Sequence, residues 1–188
     1  MMKRGLAIIL SLLIMLSGCS GQHTLVERAV QLRQKIQNAS GYAFTATVTA
    51  DYGDKIYVFK MDCQADDSGD LSFCVTEPTS IAGVSGVVEE NQGKITFDDK
   101  ALMFELIADG YISPISAPWF FMRTLSSGYI QGCEDYERGL HIQIDDSYAD
   151  DALRMEIWTD KSDIPLQGEI VWQGRRILSV VVDNFTFL

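Results

Sequence analysis

The stretch Tyr42-Ala43-Phe44-Thr45-Ala46-Thr47-Val48-Thr49-Ala50 decides the fold class. Along an extended chain Tyr42, Phe44, Ala46, Val48 and Ala50 point one way, and Thr45, Thr47 and Thr49 the other. A period of two with one apolar face is what a half-buried antiparallel strand requires. Downstream, Asp51-Tyr52-Gly53-Asp54 turns the chain into 55–63, and Asp66-Asp67-Ser68-Gly69-Asp70 turns it into 71–76. Further strands are expected at 86–90, 94–98, 102–107, 130–136, 140–145, 153–159, 166–173 and 176–187. Many short strands separated by turn residues predict an antiparallel meander, a barrel or a strongly curved sheet.

Upstream of that strand the period changes to 3.6. Thr24-Leu25-Val26-Glu27 fits a capping box, with Thr24 as N-cap and Glu27 reaching back to its amide. Leu25, Ala29, Leu32 and Ile36 follow at helical spacing with Val26 and Val30 beside them, and Asn38, Ser40 and Gly41 end the run.

The first residues read as an export signal. Lys3-Arg4 forms a basic start, and the run 6–16 is apolar apart from Ser11. Eleven helical residues rise only about 16 Å, roughly half a bilayer core, which suits a cleaved segment better than a permanent span. Leu16-Ser17-Gly18-Cys19 resembles the bacterial lipobox, whose cysteine carries diacylglycerol (palmitate-type chains) and becomes the new N-terminus. The expected organisation is a signal peptide over 1–18, a lipidated tether over 19–23 and one domain over 24–188. That places the protein on the extracytoplasmic side of a cell membrane, anchored at Cys19. Two or three acyl chains hold a protein far more firmly than a single myristoyl chain.

The chain of 188 residues is 47% hydrophobic and 22% charged, enough to bury a core and too apolar for intrinsic disorder. Its formal charge is −11. Removing 1–18 takes Lys3 and Arg4 and no acid, leaving 13 cations against 26 anions, or −13. Such a surface repels phosphate backbones and anionic headgroups alike, so nucleic acid is excluded as a partner and lipid must do the anchoring.

One segment departs from the strand pattern. Ser113-Pro114-Ile115-Ser116-Ala117-Pro118 leads into Trp119-Phe120-Phe121-Met122-Arg123-Thr124-Leu125, closed by Ser126-Ser127-Gly128. Ser116 suits an N-cap and Pro118 a first turn. At 100° per residue Trp119, Phe121, Met122 and Leu125 cover roughly 160° of the helix, with Phe120 outside that arc. This is more apolar surface than a short helix packed on one side needs. Two readings follow: the helix plugs one end of the sheet, or part of it faces a cavity or a partner.

A hairpin centred between Ser68 and Gly69 sets Cys63 opposite Cys74, within disulfide range, and an exported chain permits that bond. Cys133 is then unpaired, either buried as a small hydrophobe or exposed and linking two molecules. His141 is the only histidine downstream of His23, and it alternates with Ile142 and Ile144, so it reads as a surface or packed residue and not a base. No glycine-rich phosphate loop, HExxH or CxxC occurs. The span 66–77 has Leu71 where an EF-hand loop needs glycine, and the acids Asp145, Asp146, Asp150 and Asp151 read as solvated turn residues. No catalytic site, metal site or cofactor is expected.

The layout resembles the LolA/LolB-like superfamily of lipoprotein-localisation factors and related bacterial lipoproteins, among them the spore germination lipoprotein. The resemblance rests on residues 34–42 leading into Phe44-Thr45-Ala46, on 98–102, and on 114–125. It implies an α+β fold, a strongly curved antiparallel sheet (an incomplete β-barrel) with an N-terminal helix and an inserted apolar helix covering the concave face. It also implies a non-catalytic, membrane-anchored protein that binds an acyl chain or lipidated peptide, with Trp119, Phe120, Phe121, Met122 and Leu125 as ligand-binding residues. The alternative it carries is a regulatory lipoprotein that docks an exported enzyme through its sheet or helix surface.

Overall fold

A computed structural model describes residues 20–90, 92–97, 100–105, 107–108, 111–136, 139–150 and 152–188. The signal segment 1–18 and Cys19 lie outside the described residues. Helix α1 (Ser20–Asn38) precedes six strands, β1 (Gly41–Asp51), β2 (Ile56–Asp66), β3 (Leu71–Glu77), β4 (Ser85–Val88), β5 (Gly93–Phe97) and β6 (Lys100–Phe104). A small hairpin of β7 (Ile107–Ala108) and β8 (Tyr111–Ile112), a 3-10 turn (Pro114–Ser116) and helix α2 (Ala117–Ser127) follow. The chain closes with β9 (Tyr129–Tyr136), β10 (Gly139–Asp145), β11 (Arg154–Thr159), β12 (Pro165–Trp172) and β13 (Arg175–Phe187).

Eleven strands form one antiparallel sheet in the order β6-β5-β4-β3-β2-β1-β13-β12-β11-β10-β9. The chain meanders outward to one edge at β6, crosses through α2 to the opposite edge at β9, and meanders back until β13 lies beside β1. The ends, β6 and β9, do not pair, so the sheet is open. With the two helices it makes a curved α+β fold.

The alternation expected of 42–50 is present: Phe44, Ala46, Val48 and Ala50 are at most 4% exposed, while Thr45, Thr47 and Thr49 are half-buried. Register carries that buried face across the sheet. Ile142 lies opposite Ile157, Ile157 opposite Gly168, Gly168 opposite Val180, and Val180 opposite Val48. In α1 Ala29, Leu32 and Ile36 are buried, but Val26 and Val30 stay exposed, so the buried stripe is narrower than the apolar one. Arg28 pairs with Asp163 in the β11–β12 turn (2.6 Å), Arg33 donates to the Leu125 carbonyl and Gln37 to that of Ser126, tying α1 to a hairpin and to α2.

Two expectations are corrected. Helix α1 begins at Ser20, one turn before the N-cap expected at Thr24. The Cys63–Cys74 disulfide is absent: both thiols are free, Cys63 buried and Cys74 exposed. The hairpin is centred half a residue earlier than supposed, which moves each partner by one position and sets Asp62 opposite Cys74 and Cys63 opposite Phe73. A single-step slip puts the two sulfurs on opposite faces of the sheet. The cause is local. The Asp66 carboxylate accepts bonds from the Ser68 amide and hydroxyl, and the Gly69 amide donates to the Asp66 carbonyl, which closes the turn over Asp66–Gly69.

Candidate functional site

Helix α2 is buried nearly all round. Trp119, Phe120, Phe121, Met122 and Leu125 are between 0% and 7% exposed, Phe120 included, although helical geometry put it outside the apolar arc. The α2 N-cap is Ser116, whose hydroxyl donates to the Ser113 carbonyl, and Pro118 occupies the first turn. Trp119 Nε1 donates to the Gly69 carbonyl (3.2 Å) at the β2–β3 turn, where φ of +85° requires glycine. Arg123 lies over the Trp119 ring at 5.0 Å and pairs with Glu90 beyond β4. Phe121 sits against Gly168 of β12 so closely that a Cβ there would lie 2.3 Å from the ring. Gly128 ends the helix in similar contact with Ile144 of β10. The surplus apolar surface of α2 is therefore taken up by the protein's own interior.

An open apolar groove lies beside this helix, under the segment that leads into it. Its volume is about 490 Å³. Tyr52 and, from β2, Tyr57 and Phe59 form one wall, Val75 and Ile95 the next, and Pro114-Ile115 the roof. Among the described residues Ser113 is its only polar aliphatic residue, and no charged residue lines it. The five α2 residues singled out from sequence do not line it. Tyr52 donates to the Ile112 carbonyl (3.3 Å), fixing the wall to the base of the roof, and its burial pushes the phenol above its ordinary range. A hydrocarbon wall without charge can hold an alkyl chain and offers nothing to a polar headgroup. The sequence held one cue to this groove, the unbroken apolar run Ile56-Tyr57-Val58 where a half-buried strand would alternate, and of the three Tyr57 lines it.

The remaining expected residues are placed as follows. Cys133 is buried beneath α1, where desolvation raises its thiol pKa and the nearby Arg33 opposes that rise. His141 stacks on Trp158 (ring centroids 4.7 Å apart) and its Nε2 lies 2.6 Å from Glu156. Asp145 pairs with Arg154 and Asp146 accepts the Leu153 amide, while Asp151 lies outside the described residues. Among the described residues no cluster could hold a metal ion, and no helix is long and apolar enough to cross a membrane.

No protein-family model matches the chain, and a search of curated proteins gave no match. Solved structures do resemble it in fold. A LolA superfamily protein of Nitrosomonas europaea is 9% identical with a TM-score of 0.45, over 85% of this chain and 90% of its own. The lipoprotein LppX of Mycobacterium tuberculosis is 13% identical with a TM-score of 0.42, over 86% and 93%. A chain in the complex of the CwlD amidase with the GerS lipoprotein of Clostridioides difficile is 10% identical with a TM-score of 0.44, over 86% and 95%.

Proposed function

We propose that this protein is a non-catalytic bacterial lipoprotein, anchored through Cys19 on the extracytoplasmic face of a membrane, that holds an acyl chain in the groove beneath Pro114-Ile115. The observation that carries the reading is the groove itself, about 490 Å³ of space with apolar walls and, among the described residues, no charge. At about 30 Å³ for a water-sized group, it takes roughly sixteen methylene-sized groups, the bulk of one long acyl chain. Each methylene taken from water contributes about 0.8 kcal/mol, before the cost of association is subtracted.

In this reading α2 covers the concave face of the sheet. Its contacts with Gly69 on one side and Gly168 on the other support that placement. Trp119, Phe120, Phe121, Met122 and Leu125 then act on the ligand indirectly, by fixing the roof that α2 carries at its N-terminal end. Because α1 starts at Ser20, one residue beyond the acylated cysteine, the anchor holds the domain close against the bilayer.

The test is a titration of the folded, unacylated protein with a fluorescent fatty acid. Wild type takes up the probe, and Ile95→Trp, which fills the groove from a half-buried position, loses uptake with an unchanged melting temperature. No uptake by folded wild type, or equal uptake by Ile95→Trp, overturns the proposal.

A further inference from the structure

The outer face of the sheet carries a second groove that the acyl-chain reading does not use. Its volume is about 650 Å³ and its walls include Tyr136, Trp158, Gln167, Glu169, Val181 and Asp183. Trp158, Gln167 and Val181 sit in one transverse row across β11, β12 and β13, so the indole, an amide and an aliphatic surface form a continuous floor. The indole is held in place from one side. His141 stacks on it at 12° between ring planes and is itself bound to Glu156.

The charge of this groove is one-sided. Among the described residues it is lined by two carboxylates and no Lys, Arg or His. Glu169 is answered from outside by Arg176 (2.9 Å), while Asp183 makes no ion pair among the described residues. Elsewhere on the same face Glu134 is well exposed, with the His141 ring 3.8 Å from it.

We infer that this groove binds an arginine side chain presented by a partner protein. Aromatic rings beside an unanswered carboxylate suit a planar guanidinium, which stacks on an indole and pairs with a carboxylate in the same pose. The net charge of −13 after removal of 1–18 draws a basic segment in from a distance and turns an anionic membrane away. A neutral saccharide could use the indole and the amide, but it would leave Asp183 without a counter-ion.

The experiment follows the indole of Trp158 in the mature chain by 19F NMR with 5-fluorotryptophan, its signal identified with Trp158→Phe. The probe is acetyl-Gly-Arg-Gly-amide, compared with the same peptide carrying neutral citrulline and with cellotriose. The Arg peptide is expected to shift the Trp158 signal saturably, and the citrulline peptide to bind about tenfold more weakly. Asp183→Asn, an exposed change that leaves the core untouched, weakens the Arg peptide by about fivefold, and raising salt from about 50 to about 500 mM weakens it further. Equal binding of the two peptides, a response to cellotriose alone, no response at millimolar Arg peptide, or wild-type affinity in Asp183→Asn overturns the inference.

Discussion

Replacing Gly168 with alanine tests how α2 is seated. The new methyl group would lie 2.3 and 2.5 Å from two ring carbons of Phe121, a side chain with no solvent exposure and so no room to swing away. Overpacking of this kind costs about 1–3 kcal/mol, against a gain of about 0.4–1 kcal/mol from the stiffer unfolded chain. A net loss of about 1–2 kcal/mol lowers the melting temperature of a domain this size by about 2–8 °C. Phe121→Ala alone costs about 3–5 kcal/mol through lost burial and the cavity left behind. In the double variant the alanine methyl meets no ring and partly fills that cavity. The pair should therefore be about as stable as Phe121→Ala by itself, with a coupling of about 1–2 kcal/mol. Urea unfolding followed by far-UV circular dichroism measures all four corners of the cycle, and equal m-values keep the comparison valid. Losses that add to within about 0.5 kcal/mol would show that Phe121 does not rest on Gly168, and the placement of α2 would fall with it.

Two further outcomes follow from the side-chain environments. In a chain carrying Cys19→Ser, a thiol reagent at pH 8 should titrate Cys74 quickly and reach Cys63 and Cys133 only on unfolding, since burial pushes both of those thiols up; three fast thiols, or none, would contradict the register of the β2–β3 hairpin. The Asp66 carboxylate is held below its ordinary value of 3.8, chiefly by the Ser68 hydroxyl and also by backbone amides. Its contribution is therefore complete above that value and lost as pH falls through the folded pKa. The melting-temperature gap between wild type and Asp66→Ala should be constant from neutral pH down to about 5 and narrow in stronger acid; a gap that widens in acid would contradict this.

Local periodicity made most of the elements legible, and long-range placement was not. The alternation through Phe44, Ala46 and Val48, and the caps around Trp119–Leu125, are properties of neighbouring residues and emerged with boundaries one or two residues off. Nothing in a local pattern says that Thr47 will face Val181 across the centre of the sheet, or that the two edges will be β6 and β9. The hairpin register failed for a subtler reason. Asp66, Ser68 and Gly69 marked a turn, but whether the Asp66 side chain closes it one step early depends on hydrogen bonds that composition does not reveal. The groove is not legible in the sequence because the most apolar segment there is the buried helix α2. Its walls come from Tyr52 in a turn, Tyr57 at the start of a strand and Pro114-Ile115 before the helix, none of which stands out alone.

The separation between the packed helix and the open groove bears on how a ligand would enter. The sheet is two meanders, β1–β6 and β9–β13, joined along β1 and β13, and α2 spans that seam from Gly69 to Gly168. Its polar ties are weak. The Arg123–Glu90 pair is exposed at both ends and contributes about 0–1 kcal/mol, and the Trp119–Gly69 bond about 1 kcal/mol. Burial of Phe121, Met122 and Leu125 at about 1.5–3 kcal/mol each outweighs both. Lifting α2 to admit a chain would forfeit about 4.5–9 kcal/mol of that burial, a large share of the roughly 13 kcal/mol that sixteen methylenes gain on leaving water. A ligand in the groove under Pro114-Ile115 displaces none of it. Gly168→Ala should accordingly lower stability while leaving fatty-acid affinity within about twofold of wild type, and Ile95→Trp should do the reverse. A parallel loss of affinity and stability in Gly168→Ala would mean instead that the ligand enters through an opened α2.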